Sequence, residues 1–484
     1  MATDTATDAA GHSFDEASGD ERGLEPSSGP LSRGRALLRI RGNVYALWGA
    51  FLLVHVVLWL LALFGDGMPL GDVTIVYLPW AQLAQHSYAF MGVTAPWVYP
   101  LLAMVPVLIP LIAGAGDYVV AWLAMVTVFD VIAFAVLTAR GRRRALNAAW
   151  WWLVFLLLLG PIAVGRLDAV SVAIAIVAVV WLAARPRVAS VLLAVATWIK
   201  VWPAGIVLAA VVAMRRRWLV AGYVLITSAV ISIVAVAFGG ASDLFGFVTQ
   251  QTGRGLQIEA PVSAPWLWAA ALHAPGIIVY YDQQLLTFQL TGSRWITATS
   301  AAMTPALAIA VIIIALIGVR AVVRKAPSAL VLPQLSLAIV TALIAFNKVG
   351  SPQYVDWLAV PVILGILTAG RRFLTPAVLV AVTAALTQLF YPYLYMQVLY
   401  LNAWMIAAVT ARNIMLFVVL GWAVVALWRT GSARRRDADP QRAHAAAEEA
   451  ARTGSWPLAD GVNAPPPDAS TAPPVEELFP DQAK

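Results

Sequence analysis

The sequence contains no cysteine and few charged residues. Its 484 residues include no Cys, and Asp, Glu, Lys and Arg together make up 12% of the chain. Without cysteine there is no disulfide and no thiol chemistry, whatever the compartment. Ordinary soluble domains carry about 25% charged residues. This composition therefore excludes a typical soluble protein.

Basic residues stand where they would orient a membrane protein. They gather in short clusters beside apolar runs, and such clusters remain on the cytoplasmic side. Only four of the 32 basic residues are Lys, and two of these, Lys200 and Lys348, lie inside or beside apolar sequence. These orienting clusters account for the net charge of +7, and we therefore expect no nucleic-acid partner.

Apolar residues dominate the chain and predict an all-α polytopic membrane protein. Hydrophobic residues make up 61% of the sequence, and its mean hydropathy is +0.80. A helix needs about 20 apolar residues to cross a bilayer, and many runs approach that length. We expect about twelve crossings, counting one segment as a hairpin. The predicted spans are residues 44–64, 118–137, 146–164, 169–184, 188–214 (the hairpin), 218–238, 295–319, 329–346, 357–369, 373–390 and 404–428.

The charge pattern also predicts the domain organisation. Residues 41–430 form the transmembrane domain, with both chain ends in the cytoplasm. Residues 1–40 and 431–484 are polar tails that we expect to be disordered. Residues 188–214 carry basic residues at both ends, so the segment must cross an even number of times. We therefore expect two half-spans that meet at Lys200, where a Trp-Pro step breaks the helix.

The connection between the first two spans predicts an external functional loop. Residues 65–117 contain three Asp and no Lys or Arg, which is typical of a segment outside the cell. Apolar-aromatic pieces at residues 73–80 and 98–112 predict external half-helices. Asp72 follows Gly71, whose small size lets a carboxylate approach a ligand closely. Alternatively, Asp72 is only the N-cap of a helix.

Other polar residues fall at the outer ends of the predicted spans, where ionisable groups are costly and tend to be functional. Arg166 and Asp168 could simply neutralise each other, and Lys348 could extend to the headgroups. Cations suit a phosphate, and a carboxylate suits a general base. The residues that we expect to form one outward-facing site are Asp72, Tyr99, Arg166, Asp168, Lys200, Gln250, Gln251, Arg254, Glu259, Lys348, Gln353 and Arg412.

The order of several short motifs resembles the GT-C class of membrane glycosyltransferases. The group that they resemble most is glycosyltransferase family 87, the polyprenyl-phosphate-mannose-dependent α-mannosyltransferases. The resemblance covers residues 41–428 and rests on the order and spacing of motifs that are individually weak. They are Asp72, Tyr99-Pro100-Leu101-Leu102, Gly165-Arg166-Leu167-Asp168, Ile199-Lys200-Val201-Trp202-Pro203, Lys348-Val349-Gly350-Ser351-Pro352-Gln353-Tyr354 and Ala411-Arg412-Asn413.

The resemblance implies a reaction and a role for each residue. A hexose, expected to be mannose, would move with inversion from a polyprenyl-phosphate donor to a glycolipid or glycan acceptor outside the plasma membrane. Asp72 would deprotonate the acceptor hydroxyl, and the donor phosphate would be held by Lys200, Lys348 and Arg412. The residues expected to bind the acceptor or the sugar are Tyr99, Arg166, Asp168, Gln251, Arg254, Glu259 and Gln353.

Two departures and one alternative accompany the resemblance. Many family members carry Gly-Gln-x-Asn where this chain has Gly165-Arg166-Leu167-Asp168, and a second Pro after the Tyr-Pro step. The alternative function is a transporter or flippase for a lipid-linked sugar, which would share the spans, the cavity and the cations. No inverted repeat of the kind many transporters carry is evident. We expect no cofactor, and His86 and His273 lack the spacing of metal ligands.

Overall fold

The computed structural model describes residues 43–139, 141–283 and 285–432, apart from the side chains of Gln251 and Thr252. The predicted N-terminal tail and nearly all of the predicted C-terminal tail lie outside these residues. The described chain is predominantly helical. Its helices are α1 (Val44–Phe64), α2 (Leu78–Gln85), α3 (Met104–Leu108), α4 (Tyr118–Thr138), α5 (Arg143–Leu159), α6 (Leu167–Trp181), α7 (Pro186–Ile199), α8 (Ala204–Ala213), α9 (Arg217–Ala237), α10 (Gly246–Thr252), α11 (Ala264–Ala271), α12 (Arg294–Val323), α13 (Ser328–Ala345), α14 (Ala359–Ala369), α15 (Leu374–Phe390), α16 (Tyr395–Leu399) and α17 (Ala403–Thr430).

Eight helical stretches of the described chain are long and apolar enough to cross a membrane. One of them, Pro352–Phe390, contains two of the predicted spans. The remaining three predicted crossings are the shorter helices α6, α7 and α8. At 1.5 Å per residue, the 14 residues of α7 reach only about 21 Å, less than the thickness of a bilayer core. The polytopic helical membrane protein is therefore confirmed, in the form of eight full-length stretches plus shorter helices.

Polar side chains begin three of the long helices. Asn43 accepts a hydrogen bond from the backbone N–H of Tyr45 at the start of α1. Ser293 accepts a hydrogen bond from the backbone N–H of Trp295 at the start of α12, and Asn402 accepts one from that of Trp404 at the start of α17. These caps satisfy backbone donors that a helix leaves unpaired in its first turn. The ends of the apolar runs are thus fixed by local hydrogen bonds as well as by burial.

The burial of the long helices separates a central helix from peripheral ones. In α13, 83% of the residues in the most apolar stretch of the helix are buried. This helix packs on α8, α12, α14 and α17. In α9 and α12, only 11% and 17% of the residues in the corresponding apolar stretch are buried. Both peripheral helices are strongly apolar, so their outward surfaces are suited to lipid contact.

The segment between α6 and α9 is broken as predicted. Helix α7 ends at Ile199, Lys200 takes an extended backbone conformation, and Pro203 is the N-cap residue of α8. Helix α7 packs on α6 and α9, whereas α8 packs on α9, α12 and α13. Lys200 therefore lies at the break between two short helices that share α9 as a neighbour.

The connection after α1 contains the short helical pieces predicted there. A π-helical turn, Asp72–Tyr77, continues directly into α2. Farther on, two short 3₁₀ segments flank α3 between Leu101 and Ala113. The N-cap position of the first piece belongs to Gly71 and makes no side-chain cap hydrogen bond. The interpretation of Asp72 as only an N-cap is therefore wrong.

The connection between α9 and α12 contains a small sheet, which an all-α prediction did not include. Strands β1 (Leu256–Gln257), β2 (Ile278–Asp282) and β3 (Thr287–Thr291) are antiparallel in the order β1-β3-β2. Residues 266–280 of this connection are largely apolar but do not form one helix. They divide between α11 and β2, separated by Gly276, whose backbone has φ +78°.

Candidate active site

A cavity of about 570 Å³ lies among the connections at one end of the helices. Cavities that bind small molecules are commonly of this size. The connections that line it alternate along the chain with those that carry the basic clusters. Most lining residues come from residues 65–117, 200–203, 238–293, 346–358 and 391–402, together with Arg166. Helices α12 and α13 add Thr304, Leu307 and Leu343. The described basic clusters lie at residues 142–144, 185–187, 215–217, 320–325 and 371–372.

Asp72 lies on one wall of this cavity and forms an ion pair with Arg166. The Asp72 Oδ2 atom lies 3.0 Å from the Arg166 Nε atom, and the Asp72 side chain is 36% exposed. Asp72, Val76 and Trp80 follow one another at four-residue spacing and all line the cavity. One face of the helical segment that begins at Asp72 therefore presents a carboxylate and an indole to the cavity, about two turns apart.

Lys200 and Asp168 form a second ion pair, deeper in the structure. The Lys200 Nζ atom lies 3.0 Å from the Asp168 Oδ2 atom, and Trp357 Nε1 donates to Asp168 Oδ1 at 2.6 Å. The Lys200 ammonium also stands 4.3 Å from the centre of the Tyr99 ring. The expectation that Arg166 and Asp168 neutralise each other is wrong, because α6 begins between them and each finds a partner on another segment.

Lys348 and Arg254 bring two further cations to the cavity. Burial lowers the pKa of the Lys348 ammonium, and the positive charge of Arg254 lowers it further. The two segments are joined through β1, because the backbone N–H of Gln257 donates to the Lys348 carbonyl oxygen at 3.1 Å. Gln353, which is buried, lines the cavity beside them. Two like charges held close together are a common arrangement for binding an anion.

Glu259 lies at a third position on the cavity wall, in contact with Tyr395. The Tyr395 hydroxyl donates to Glu259 Oε1. Burial raises the pKa of the Glu259 carboxyl, although the Tyr395 hydroxyl and the Arg412 guanidinium act in the opposite direction. Arg412 is fully buried behind this wall and donates to the carbonyl oxygens of Glu259 at 3.0 Å and Gly350 at 3.4 Å. Its guanidinium thus links two segments that carry cavity residues.

Aromatic rings fill much of the remaining wall. Trp202, Trp357 and Tyr354 form a stack with centroid separations of 5.8 and 4.2 Å. Tyr99 meets Trp80 edge to face at 6.0 Å. Rings of this kind offer flat apolar surface at little conformational cost. The apolar lining residues include Phe247, Val248, Leu285, Leu286, Leu307, Leu343 and Phe346.

The structure brings together most of the predicted site residues. Among the cavity-lining residues are Asp72, Tyr99, Arg166, Lys200, Arg254, Glu259, Lys348 and Gln353. Asp168 and Arg412 are buried and contact lining residues from behind. Gln251 belongs to α10, and its side chain lies outside the described part of the chain.

Sequence reasoning missed two tyrosines in the connection before α17. Tyr391 accepts a hydrogen bond from Arg166 Nη2 at 2.6 Å, and Tyr395 donates to Glu259. Both line the cavity. The sequence does carry a signal, since Tyr391, Tyr393 and Tyr395 alternate in a predicted external connection. Their partners, however, lie more than a hundred residues away in sequence.

No family model, no curated protein and no solved structure matches the chain.

Proposed function

We propose that the protein is an inverting glycosyltransferase. It moves a hexose, which we propose to be mannose, from a polyprenyl-phosphate donor to a glycan or glycolipid acceptor outside the plasma membrane. The observation that carries this proposal is the meeting of Asp72 with Arg254 and Lys348 in one cavity. Such a set provides a base for a hydroxyl and cations for a phosphate.

The reaction follows from these groups. The acceptor hydroxyl oxygen attacks the anomeric carbon of the hexose and forms the new glycosidic bond. Its proton passes to the Asp72 carboxylate. The bond between the anomeric carbon and the phosphate oxygen breaks, and its electron pair leaves with the polyprenyl phosphate. Attack from the face opposite the phosphate inverts the configuration at that carbon.

Arg254 and Lys348 are the cations that this account assigns to the phosphate. Their positive charges stabilise the negative charge that grows on the leaving phosphate oxygen. Lys200 lines the same cavity, and its assignment to the phosphate remains a prediction, with Asp168 as a competing partner. The burial of Arg412 favours a supporting role, in which it holds the segments that bear Glu259 and Gly350.

A lipid donor is supported by the apolar part of the cavity. Leu307 belongs to α12, a peripheral helix whose apolar residues are mostly not buried. Leu343 and Phe346 lie at the C-terminal end of α13. A polyprenyl chain could extend along such side chains towards the lipid. A soluble nucleotide sugar has no use for this surface.

A direct test is to incubate the purified protein in lipid nanodiscs with labelled polyprenyl-phosphate mannose and a panel of glycolipid acceptors. We expect a new mannosylated product by mass spectrometry, with α linkage by nuclear magnetic resonance if the donor is β-linked. Polyprenyl-phosphate glucose, run in parallel, tests the choice of sugar. In proteoliposomes, passage of the labelled donor across the bilayer without any product would contradict the proposal and support a flippase.

A further inference from the structure

Arg166 is a charged side chain of the cavity with four polar contacts, and the reaction above gives it no role. It is only 3% exposed. Its Nε atom lies 3.0 Å from Asp72 Oδ2. Its Nη1 atom donates to the carbonyl oxygens of Pro69 at 2.9 Å and Gly165 at 2.8 Å, and its Nη2 atom donates to the Tyr391 hydroxyl at 2.6 Å.

These contacts join three segments that are far apart in sequence. Pro69 and Asp72 belong to the connection after α1, Gly165 precedes α6, and Tyr391 follows α15. The backbone around Asp72 is otherwise a turn and a short helix, which alone would leave the carboxylate free to change position. The Arg166 guanidinium contacts both the Asp72 carboxylate and, through the Pro69 carbonyl oxygen, the loop that leads to it.

We propose that Arg166 is a positioning residue that fixes the Asp72 carboxylate for proton transfer, with Tyr391 as its support. The inference rests on the proposed function, in which Asp72 is the base. A base must lie within hydrogen-bond reach of the proton that it removes, and a displacement of about 1 Å can cost about 10²-fold in rate. The geometry at Arg166 prevents such a displacement.

The chemistry of the guanidinium explains why arginine suits this position. It is planar, always charged, and offers five N–H donors in a fixed fork. Four of its contacts here use that fork in different directions. A lysine could still pair with Asp72, but its single ammonium cannot reach all four partners. A glutamine would keep some hydrogen bonds and lose the charge.

The test compares Arg166→Gln, Arg166→Lys and Tyr391→Phe with the wild-type protein in nanodiscs. We measure kcat, the donor KM, the acceptor KM and the thermal midpoint with polyprenyl-phosphate mannose. We expect Arg166→Gln to lower kcat about 10²-fold with little change in the donor KM. Arg166→Lys should recover part of that loss. Tyr391→Phe removes one hydroxyl and keeps the ring, so it should fold normally and lower kcat by a smaller factor.

Arg254→Gln serves as the matched contrast, since it removes a cation from the same cavity that is assigned to the phosphate. It should raise the donor KM, whereas Arg166→Gln should not. Adding guanidinium ions to Arg166→Ala should restore part of kcat, and adding ammonium ions should restore less. A purely structural role would change the thermal midpoint without this selective rescue.

Two results would overturn the inference, and they differ from a failure of the proposed function. A folded Arg166→Gln protein with wild-type kcat, or a loss confined to either KM, would exclude a positioning role while Asp72→Asn stays inactive. If wild-type protein transfers no sugar from any polyprenyl-phosphate donor, the proposed function fails and the positioning role fails with it.

Discussion

At the scale of single residues, Lys348 and Arg254 give the cavity a charge that depends on pH. Burial and the neighbouring guanidinium lower the pKa of the Lys348 ammonium below its usual value near 10.4. Lys348 is therefore protonated, and able to attract a phosphate, only below that lowered pKa. A bound phosphate favours the protonated form, so donor binding and the charge of Lys348 are linked.

We expect the donor KM to rise as the pH increases through the lowered pKa of Lys348. In Lys348→Arg this rise should disappear, because arginine stays charged. In Arg254→Gln the repulsion is removed, so the rise should move to higher pH even though donor affinity falls overall. The measurement is the donor KM against pH for the three proteins. A pH profile that is the same in all three would contradict this account of Lys348.

Residue pairing was the part of the site that could not be predicted from the sequence. Arg166 and Asp168 are two positions apart, which made them natural partners for each other. In the structure Asp168 lies in the first turn of α6, whereas Arg166 precedes that helix in an extended conformation. The two side chains therefore reach different segments. The identity of a partner depends on how distant segments pack, and no local pattern records it.

At the scale of helices, a buried polar pair joins α1 to α4. The His55 Nε2 atom lies 3.1 Å from Asp130 Oδ2, and its Nδ1 atom lies 3.0 Å from the Phe51 carbonyl oxygen. Both ring nitrogens of His55 therefore face oxygen atoms. Both side chains are buried between two apolar helices. Removing one of the two side chains leaves the other buried without its hydrogen-bond partner, so its desolvation cost is no longer offset.

We expect Asp130→Leu to destabilise the protein by about 1–2 kcal/mol, the range for hydrogen bonds between membrane helices. The double variant His55→Leu with Asp130→Leu should recover much of that loss, because neither polar group is then stranded. Thr127→Val is the matched control, since it removes a neutral contact with Trp59 at 3.0 Å on the same two helices. The thermal midpoint in detergent gives the comparison. A double variant less stable than either single variant would contradict this explanation.

Helix positions followed from the sequence far better than strand positions did. The run at residues 44–64 predicted the bounds of α1, because 21 residues that are apolar apart from His55 are long enough to cross a bilayer as one helix. The sheet was missed because β1 pairs with β3, which lies about thirty residues later, and hydrophobicity alone does not encode that pairing. In the same connection, an apolar piece contributed to both a helix and a strand.

At the scale of the whole molecule, cavity connections alternate with basic connections along the chain. This order agrees with a cavity on the external side and basic clusters on the cytoplasmic side. The chain has no native cysteine, so a single introduced cysteine reports one position unambiguously.

We expect Tyr88→Cys and Leu272→Cys to react with a membrane-impermeant maleimide in intact cells. Both positions are highly exposed and lie in cavity connections. Ala184→Cys lies beside the basic cluster at residues 185–187, and Ser432→Cys follows the end of α17. Both positions are exposed, and both should react only after the membrane is opened. Labelling of Ala184→Cys in intact cells would contradict the orientation and, with it, an external active site.

The substitution Asp72→Asn shows whether Asp72 is the base of a glycosyl transfer. Asparagine is nearly the same size as aspartate but cannot accept the proton, and a positioned base typically contributes about 10²–10⁴-fold. The measurement is transfer from polyprenyl-phosphate mannose by the purified variant, with donor binding and thermal midpoint recorded alongside. We expect transfer to fall by at least about 10²-fold while the donor still binds. A normally folded Asp72→Asn protein with wild-type transfer would contradict the role of Asp72 as the base.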